Sequence, residues 1–181
     1  MSRLMLCGAT SWLILSLVAP VRADDTEDKA VAFVEKLGGK VTRDDKLPGK
    51  PVIGVNLGMS VISTKVTDAG LKELAPLKNL STLDLSGTAV TDAGLKELAP
   101  LKNLTSLDLF RTAVTDAGLK ELAPLKHLTS LNLAHTKVTD AGLKELAQLH
   151  NLTSLDLRVT HVTQAGMEEL QKALPKCKIS R

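Results

Sequence analysis

Apolar residues alternate with polar ones in one short stretch of the chain and follow a longer period in the stretch before it. Leu83 and Leu85 alternate with polar neighbours, which is the pattern of a short strand with one buried side. Leu71, Leu74 and Ala75 recur at the spacing that gives a helix one apolar stripe. The pattern therefore predicts a short helix followed by a short strand.

The residues around the apolar stripe predict where this helix begins and ends. Thr67 suits the N-cap position, and Asp68 is favourable in the first turn, near the positive end of the helix dipole. Pro76 ends the helix early because it has no N–H group to donate, and Gly70 weakens it. We expect about two helical turns, which depend on packing for their stability.

The same helix and strand pattern recurs along most of the chain with a period of 24 residues. The successive units begin at Val66, Val90, Val114, Val138 and Val162. One unit cannot bury its leucines alone, whereas stacked units bury them against one another. We therefore predict an α/β solenoid, in which parallel strands lie side by side and the helices cover the opposite surface.

The repeated pattern L-x-x-L-x-L-x-x-T-x-V-T-D-A-G-L resembles the leucine-rich repeat. It looks most like the helical subclass of ribonuclease-inhibitor-like proteins and F-box adaptors, and it is similar to short exported bacterial proteins built from T-D-A-G-L repeats. The resemblance extends from about Val52 to Ile179. It implies a leucine-rich-repeat solenoid with a curved parallel sheet on the concave face and short helices on the convex face. Such folds usually offer the concave face to partners.

Threonines occupy a position at which leucine-rich repeats often carry Asn or Cys. These residues are Thr88, Thr112, Thr136 and Thr160. We expect their hydroxyl groups to bond neighbouring turns of the solenoid as a ladder, which is a structural role.

The two ends of the chain depart from the repeat and predict four regions. We assign residues 1–23 to a signal peptide, 24–51 to an N-terminal capping helix and linker, 52–163 to the repeats, and 164–181 to a C-terminal capping repeat. The segment GMSVIS lengthens the first repeat by four residues, which leaves a bulge or a register shift of the first strand open. Residues 40–43 fit a short edge strand.

The first 23 residues resemble a secretory signal peptide. Arg3 precedes an apolar stretch over residues 13–19, and Val21-Arg22-Ala23 provides small residues at the cleavage site. The apolar stretch is too short for a comfortable membrane span. We expect a secreted protein or one of the cell envelope or periplasm, with membrane attachment only if this segment stays uncleaved.

Charge and composition exclude one class of partner. Cleavage removes Arg3 and Arg22 and no acidic residue, so the 23 basic and 20 acidic residues come still closer to balance. A nucleic-acid-binding surface needs a clustered basic excess, so we expect no nucleic-acid partner. Cleavage also leaves Cys177 as the remaining cysteine, either as a buried thiol in the cap or as a reactive or intermolecular one.

Comparison of the repeats with one another separates the scaffold from the variable positions. Residues that face the same side of adjacent strands form columns across the concave face. One column runs through Asp84, Asp108, Asn132 and Asp156. The next runs through Ser86, Phe110, Ala134 and Arg158, and a turn column follows with Gly87, Arg111, His135 and Val159. We expect the side chains at the variable positions to have no role in maintaining the fold.

The variable columns supply the candidate binding residues. Phe110 lies between the small residues Ser86 and Ala134, which cannot bury it, while basic and imidazole side chains occupy the same flank. The partner-binding residues that we predict are Phe110, Arg111, His135, Arg158 and His161. Asp108 and Asp156 belong to the same set, and their charges are expected to fix how a charged partner aligns with the face. A flat packing of Phe110 over its small neighbours is the alternative to a recognition patch.

Catalytic and metal-binding patterns are weak. The sequence contains no nucleophile motif, zinc motif or phosphate-binding loop. Asp84 and Asp108 stand in one row and do not converge as calcium ligands do. We therefore predict no enzyme, no catalytic residue, no metal and no cofactor.

Three functions are compatible with this pattern, and a fourth possibility is that the repeats have no specific ligand and serve as surface or assembly filler. We favour an exported, non-enzymatic module that binds a protein or an extracellular polymer through its concave face. The alternatives are a substrate-adaptor role like that of F-box leucine-rich-repeat proteins, without the F-box, and a hydrolase with a His/Asp site.

Overall fold

A computed structural model describes residues 25–58 and 65–181. Within these residues, seven strands form one sheet in the order in which they occur along the chain. The strands are β1 (Lys40–Arg43), β2 (Val52–Asn56), β3 (Thr82–Asp84), β4 (Ser106–Asp108), β5 (Ser130–Asn132), β6 (Ser154–Asp156) and β7 (Lys178–Ser180). The helices are α1 (Asp25–Lys36), α2 (Asp68–Leu71), α3 (Asp92–Leu95), α4 (Asp116–Leu119), α5 (Asp140–Leu146) and α6 (Gln164–Ala173).

The sheet is parallel except at its first strand. β1 pairs with β2 in the antiparallel direction, and each later strand pairs in parallel with the next. β2 is in regular register with β3, since Gly54 lies opposite Thr82 and Asn56 opposite Asp84. The bulge that we left open for this strand lies on its other side, where Ile53 of β2 is an extra residue between Gly54 and Val52, which face consecutive residues of β1. Residues 59–64, which hold most of the GMSVIS segment, lie outside the described ranges.

The helices are as short as the prolines and glycines predict. α2, α3 and α4 are single turns, and each continues into one 3₁₀ turn. α5 instead runs as a continuous helix of 7 residues. In this repeat Gln148 replaces the proline found at Pro76, Pro100 and Pro124, so the steric restriction that proline places on the preceding turn is removed.

The core is aliphatic and lies between the sheet and the helices. The strand leucines, such as Leu107 at 1% exposure, and the helix leucines, such as Leu119 at 0%, are buried together. Helix α1 covers the first repeat with Ala30 and Val34, which are also buried. At the other end Cys177 is buried, and its desolvation raises the pKa of the thiol, which favours the unreactive protonated form.

An aspartate from each repeat holds the N-cap threonine of the next. Asp92 Oδ1 accepts the backbone N–H of Thr115 at 2.7 Å, and Asp92 Oδ2 accepts the Thr115 hydroxyl at 2.6 Å. The same pair of hydrogen bonds joins Asp68 to Thr91, Asp116 to Thr139, and Asp140 to Thr163. The bonds from Thr163 hold the pKa of Asp140 below its ordinary value. The T-D-A-G segment therefore links the repeats as well as starting a helix.

The glycine of this segment makes room for the same aspartate. A Cβ atom added to Gly118 would collide with Asp92 Oδ1, and Gly94, Gly142 and Gly166 are placed in the same way against the aspartate of the preceding repeat. In the first repeat the neighbour is different, because a Cβ at Gly70 would lie 2.8 Å from the ring of Phe33 in α1. The glycine that weakens each helix is thus required for the contact between repeats.

The threonine ladder is placed differently from our prediction. The hydroxyl of Thr112 donates to the carbonyl of Leu109 at 2.7 Å, within its own turn, and Thr88, Thr136 and Thr160 do the same. The prediction that these residues bond neighbouring turns is therefore wrong. A hydroxyl ladder between turns does exist just before the strands, where Thr129 Oγ1 donates to the Thr105 carbonyl at 3.0 Å. Ser81, Thr105 and Thr153 repeat this contact.

The N-terminal segment assigned to a signal peptide lies outside the described ranges, so it stays a prediction. Among the helices of residues 25–58 and 65–181, none combines the length and the hydropathy needed to cross a membrane.

Candidate functional site

Each repeat strand ends in an aspartate or asparagine that bonds the turn after it. Asp108 Oδ1 accepts the backbone N–H of Phe110 at 2.8 Å, and Asp84, Asn132 and Asp156 make the same contact two residues on. Asn132 also donates to Asp108 Oδ2 at 3.1 Å, and its amide group lies between the carboxylates of Asp108 and Asp156 in the column. This column therefore fixes the turns that carry the variable residues.

The turn column has a left-handed backbone at each of its four residues. Gly87 has φ of 66°, and the equivalent residues Arg111, His135 and Val159 have φ of 55°, 57° and 56°. The N–H of Arg111 donates to the Ala134 carbonyl at 3.0 Å, and that of His135 to the Arg158 carbonyl at 2.9 Å. The expectation that these positions have no role in maintaining the fold is wrong, because the solenoid requires a left-handed backbone there, which favours glycine.

The side chain of Phe110 is packed by its neighbours in the turn column. Its ring meets the ring of His135 edge to face with the centroids 5.1 Å apart, and the Arg111 guanidinium lies 5.1 Å from its centroid. Phe110 is therefore partly buried, although Ser86 and Ala134 are small. The longer side chains of the adjoining column cover the ring, so the prediction that no neighbour could bury it is wrong.

Phe110, Ala134, His135, Arg158 and Val159 line a shallow depression of about 340 Å³. Ala134 is buried, whereas Val159 is 67% exposed. Val159 was not among the predicted site residues. The signal that could have found it is its place in the column of Gly87, since a β-branched residue is the least suited to a glycine position.

The charges around the depression are not equivalent. Arg158 donates from Nε to both carboxylate oxygens of Asp156 at 3.0 Å and from Nη2 to Oδ2 at 2.6 Å. These bonds lower the pKa of Asp156 and raise that of Arg158, with a smaller lowering of the Asp156 pKa by the charge of His135. Among the described residues, no carboxylate forms an ion pair with Arg111.

We call Phe110, Arg111, His135, Arg158 and Val159 the rim patch. Each of the five lies two or three positions after the last residue of a strand. The patch therefore lies at the edge of the sheet where the strands enter their turns. Asp108 and Asp156 are the final residues of β4 and β6 and adjoin the patch. His161 lies two residues beyond Val159, is exposed, and does not line the depression.

Comparison with known families identifies the repeating unit. A family model described as "Leucine Rich repeat" matches residues 77–99, 101–123 and 125–147. These three units are leucine-rich repeats. The predicted fold class is therefore confirmed, with a parallel sheet and short helices between the strands.

Several solved structures are similar to part of the chain. An internalin C2 of Listeria monocytogenes is 31% identical over 60% of this chain and 44% of its own, with a TM-score of 0.49. A Leptospira interrogans leucine-rich-repeat protein is 33% identical over 61% and 27%, with a TM-score of 0.49. The crystal structure of PEPR1-AtPEP1 is 23% identical over 77% and 19%, with a TM-score of 0.50, and shows the fold alone.

The chain spans less than half the length of each of these proteins. No curated protein sequence matches it. Within residues 25–58 and 65–181, no group of three or more His, Cys, Asp or Glu residues is placed to hold a metal ion.

We expect Val159→Gly to stabilise the solenoid by about 1 kcal/mol, because glycine relieves a left-handed β-branched residue at some cost in chain entropy. Val159 is exposed, so little packing is lost. Arg111→Gly serves as the comparison, since the same relief is offset there by loss of the contact with Phe110. Urea unfolding of the three proteins measures the difference, and destabilisation by Val159→Gly would contradict the strain argument.

Proposed function

We propose that the protein is an exported, non-enzymatic interaction module that binds a protein or an extracellular polymer through the concave face of the sheet, with the rim patch at its edge. Phe110, Arg111, His135, Arg158 and Val159 supply the contact surface. Asp108 and Asp156 hold the turns, and His161 extends the basic flank. Export to the cell envelope or medium and membership of the ribonuclease-inhibitor-like subclass are parts of the same proposal.

The turn column carries this proposal. Three of its four positions hold Arg, His or Val in a conformation that glycine adopts at no steric cost, as Gly87 does in the same column. Left-handed residues other than glycine cost roughly 1–2 kcal/mol each and tend to cluster at functional sites. Their side chains surround one aromatic ring and one apolar depression, which is the composition of many protein-binding hot spots.

The rigidity of the site supports binding by a preformed surface. The turn backbone is tied on one side by the aspartate at the strand end and on the other by the next repeat, as at Phe110 and Arg111. A surface that is already ordered loses little conformational entropy when a partner docks.

The same contacts favour a binding role over a hydrolase. The Asp156 carboxylate is occupied by Arg158, and the ring of His135 packs against Phe110. A general base needs its imidazole within hydrogen-bond reach of a nucleophile and oriented by a free carboxylate. The residues of the rim patch are thus arranged as a surface.

Replacement of Phe110 with Ala is expected to weaken binding of the native partner about 30-fold, which corresponds to about 2 kcal/mol for loss of a central aromatic contact. Crosslinking of the wild-type protein in its own envelope fraction identifies that partner and also reports whether the chain is exported. Titration calorimetry then compares the wild type with the variant.

Lys120→Ala is the matched control, because Lys120 is exposed on the helical surface away from the sheet. It should leave affinity unchanged. A partner that binds the wild type and Phe110→Ala equally well, while both proteins unfold at similar temperatures, would remove the rim patch from the binding surface.

A further inference from the structure

We propose that the depression of the rim patch receives one apolar side chain of an acidic protein segment, and that Arg111 pairs with a carboxylate beside that side chain. The inference rests on the proposed function and names the chemistry of its partner. It assigns a different task to each of the two arginines.

The size and lining of the depression suit a single side chain. Its volume of about 340 Å³ is at the small end of the range of ligand pockets. The Phe110 ring and the exposed Val159 stand on either side of buried Ala134, so the depression is open at the top and apolar. A branched aliphatic or aromatic side chain covers these three groups and removes their apolar surface from water.

The charge of the rim selects an acidic neighbour for that side chain. Arg158 is already neutralised by Asp156, with which it forms an ion pair at 2.6 Å. Arg111 contacts the face of Phe110 instead and pairs with no carboxylate within the described ranges. His135 and His161 add donors on the same flank. A partner carboxylate can therefore bind Arg111 without breaking an existing ion pair, and it gains a bidentate contact.

The carboxylates at the strand ends limit where an acidic segment can lie. Asp84 and Asp108 end the neighbouring strands β3 and β4, and their hydrogen-bond donors are amide and backbone groups. An acidic side chain laid over them is repelled, so it must lie on the turn side, near Arg111.

The spacing of the partner's two anchors follows from the sheet. Arg111 follows β4, whereas Ala134 and His135, which line the depression, follow β5, one strand further on. Adjacent strands are about 4.8 Å apart. The nearest two side chains on one side of an extended chain are two residues, or about 6.6 Å, apart, so the acidic and apolar residues are expected about two positions apart.

A library of random peptides displayed on phage, selected on the purified protein, tests this chemistry. We expect enrichment of Asp or Glu about two positions from Leu, Ile, Phe or Trp. Selection on Arg111→Glu should replace the acidic residue with Lys or Arg beside the same apolar residue, whereas Arg111→Lys should keep the acidic preference. A synthetic peptide of the enriched sequence should bind Arg111→Glu about tenfold more weakly than the wild type.

The result that overturns the inference is a library without enrichment, an apolar preference without an acidic one, or the same acidic preference on Arg111→Glu. Melting temperatures of the variants confirm that each is folded. If Phe110→Ala weakens the native partner while the peptides show no acidic preference, the proposed function stands and this inference fails. If Phe110→Ala leaves the native partner unaffected, the proposed function itself fails.

Discussion

Replacing Gly118 with Ala is expected to lower the free energy of unfolding by about 2–3 kcal/mol, because the new Cβ atom overpacks the contact between repeats. The position it would occupy is taken by Asp92 Oδ1, the atom that accepts the N–H of Thr115. Helix propensity alone predicts the opposite sign, since Ala is better than Gly inside a helix by about 1 kcal/mol. The sign of the change thus separates the two accounts.

The matched control is Gly70→Ala, at the equivalent position of α2, the helix of the first repeat. The atom that its Cβ would meet, at 2.8 Å, is the far end of the Phe33 ring, which can move aside. We expect a change within about 1 kcal/mol for this variant. Urea unfolding followed by circular dichroism measures both, and a stabilised Gly118→Ala protein would show that Asp92 is not held where the structure places it.

Replacing Asp116 with Ala is expected to cost about 2–3 kcal/mol, because two hydrogen bonds to a carboxylate are lost and the N–H of Thr139 is left without its acceptor. The bonds measure 2.8 Å to the N–H and 2.7 Å to the hydroxyl. Asp116 also lies in the first turn of α4, where a negative charge is favourable. Calorimetric melting of the variant and the wild type measures the loss.

Asp45→Ala controls for the removal of a carboxylate as such. Asp45 pairs with Lys50 at 3.0 Å, but both side chains are mostly exposed, so the expected change is below about 1 kcal/mol. A double-mutant cycle with Thr139→Val isolates the contact. A coupling energy near zero would mean that Asp116 acts on its own helix and does not connect the repeats.

The succession of helix and strand could be predicted because it depends on the spacing of apolar residues that are close together in the sequence. Leu83 and Leu85 show the period of a strand, and Leu71 and Leu74 show that of a helix, without reference to any other part of the chain. Repetition of the unit then indicates how the pieces stack. The bonds between repeats could not be predicted in the same way, since Asp92 and Thr115 are 23 positions apart and each has a sufficient role in its own helix.

Four of the five residues of the rim patch could be brought together from the sequence, but the backbone conformation that carries them could not. Lining up the repeats brings Phe110, Arg111, His135 and Arg158 into adjacent columns, as the structure does. The left-handed conformation was hidden because only Gly87 among its four members is a residue that signals it. Val159 was missed for the same reason. The boundaries of the terminal regions, the signal peptide and the role of the patch remain predictions.

The pairing of Asp with Thr across repeats has a direction, and this direction bears on how such a chain can lengthen. Every internal unit offers an aspartate to its successor and a threonine and glycine to its predecessor. A duplicated unit inserted in frame therefore meets compatible neighbours on both sides at once. The series stops where Gln164 takes the place of the aspartate and bonds Glu168 of its own helix. Gene duplication can thus add length between the ends of this chain while leaving its termini as they were.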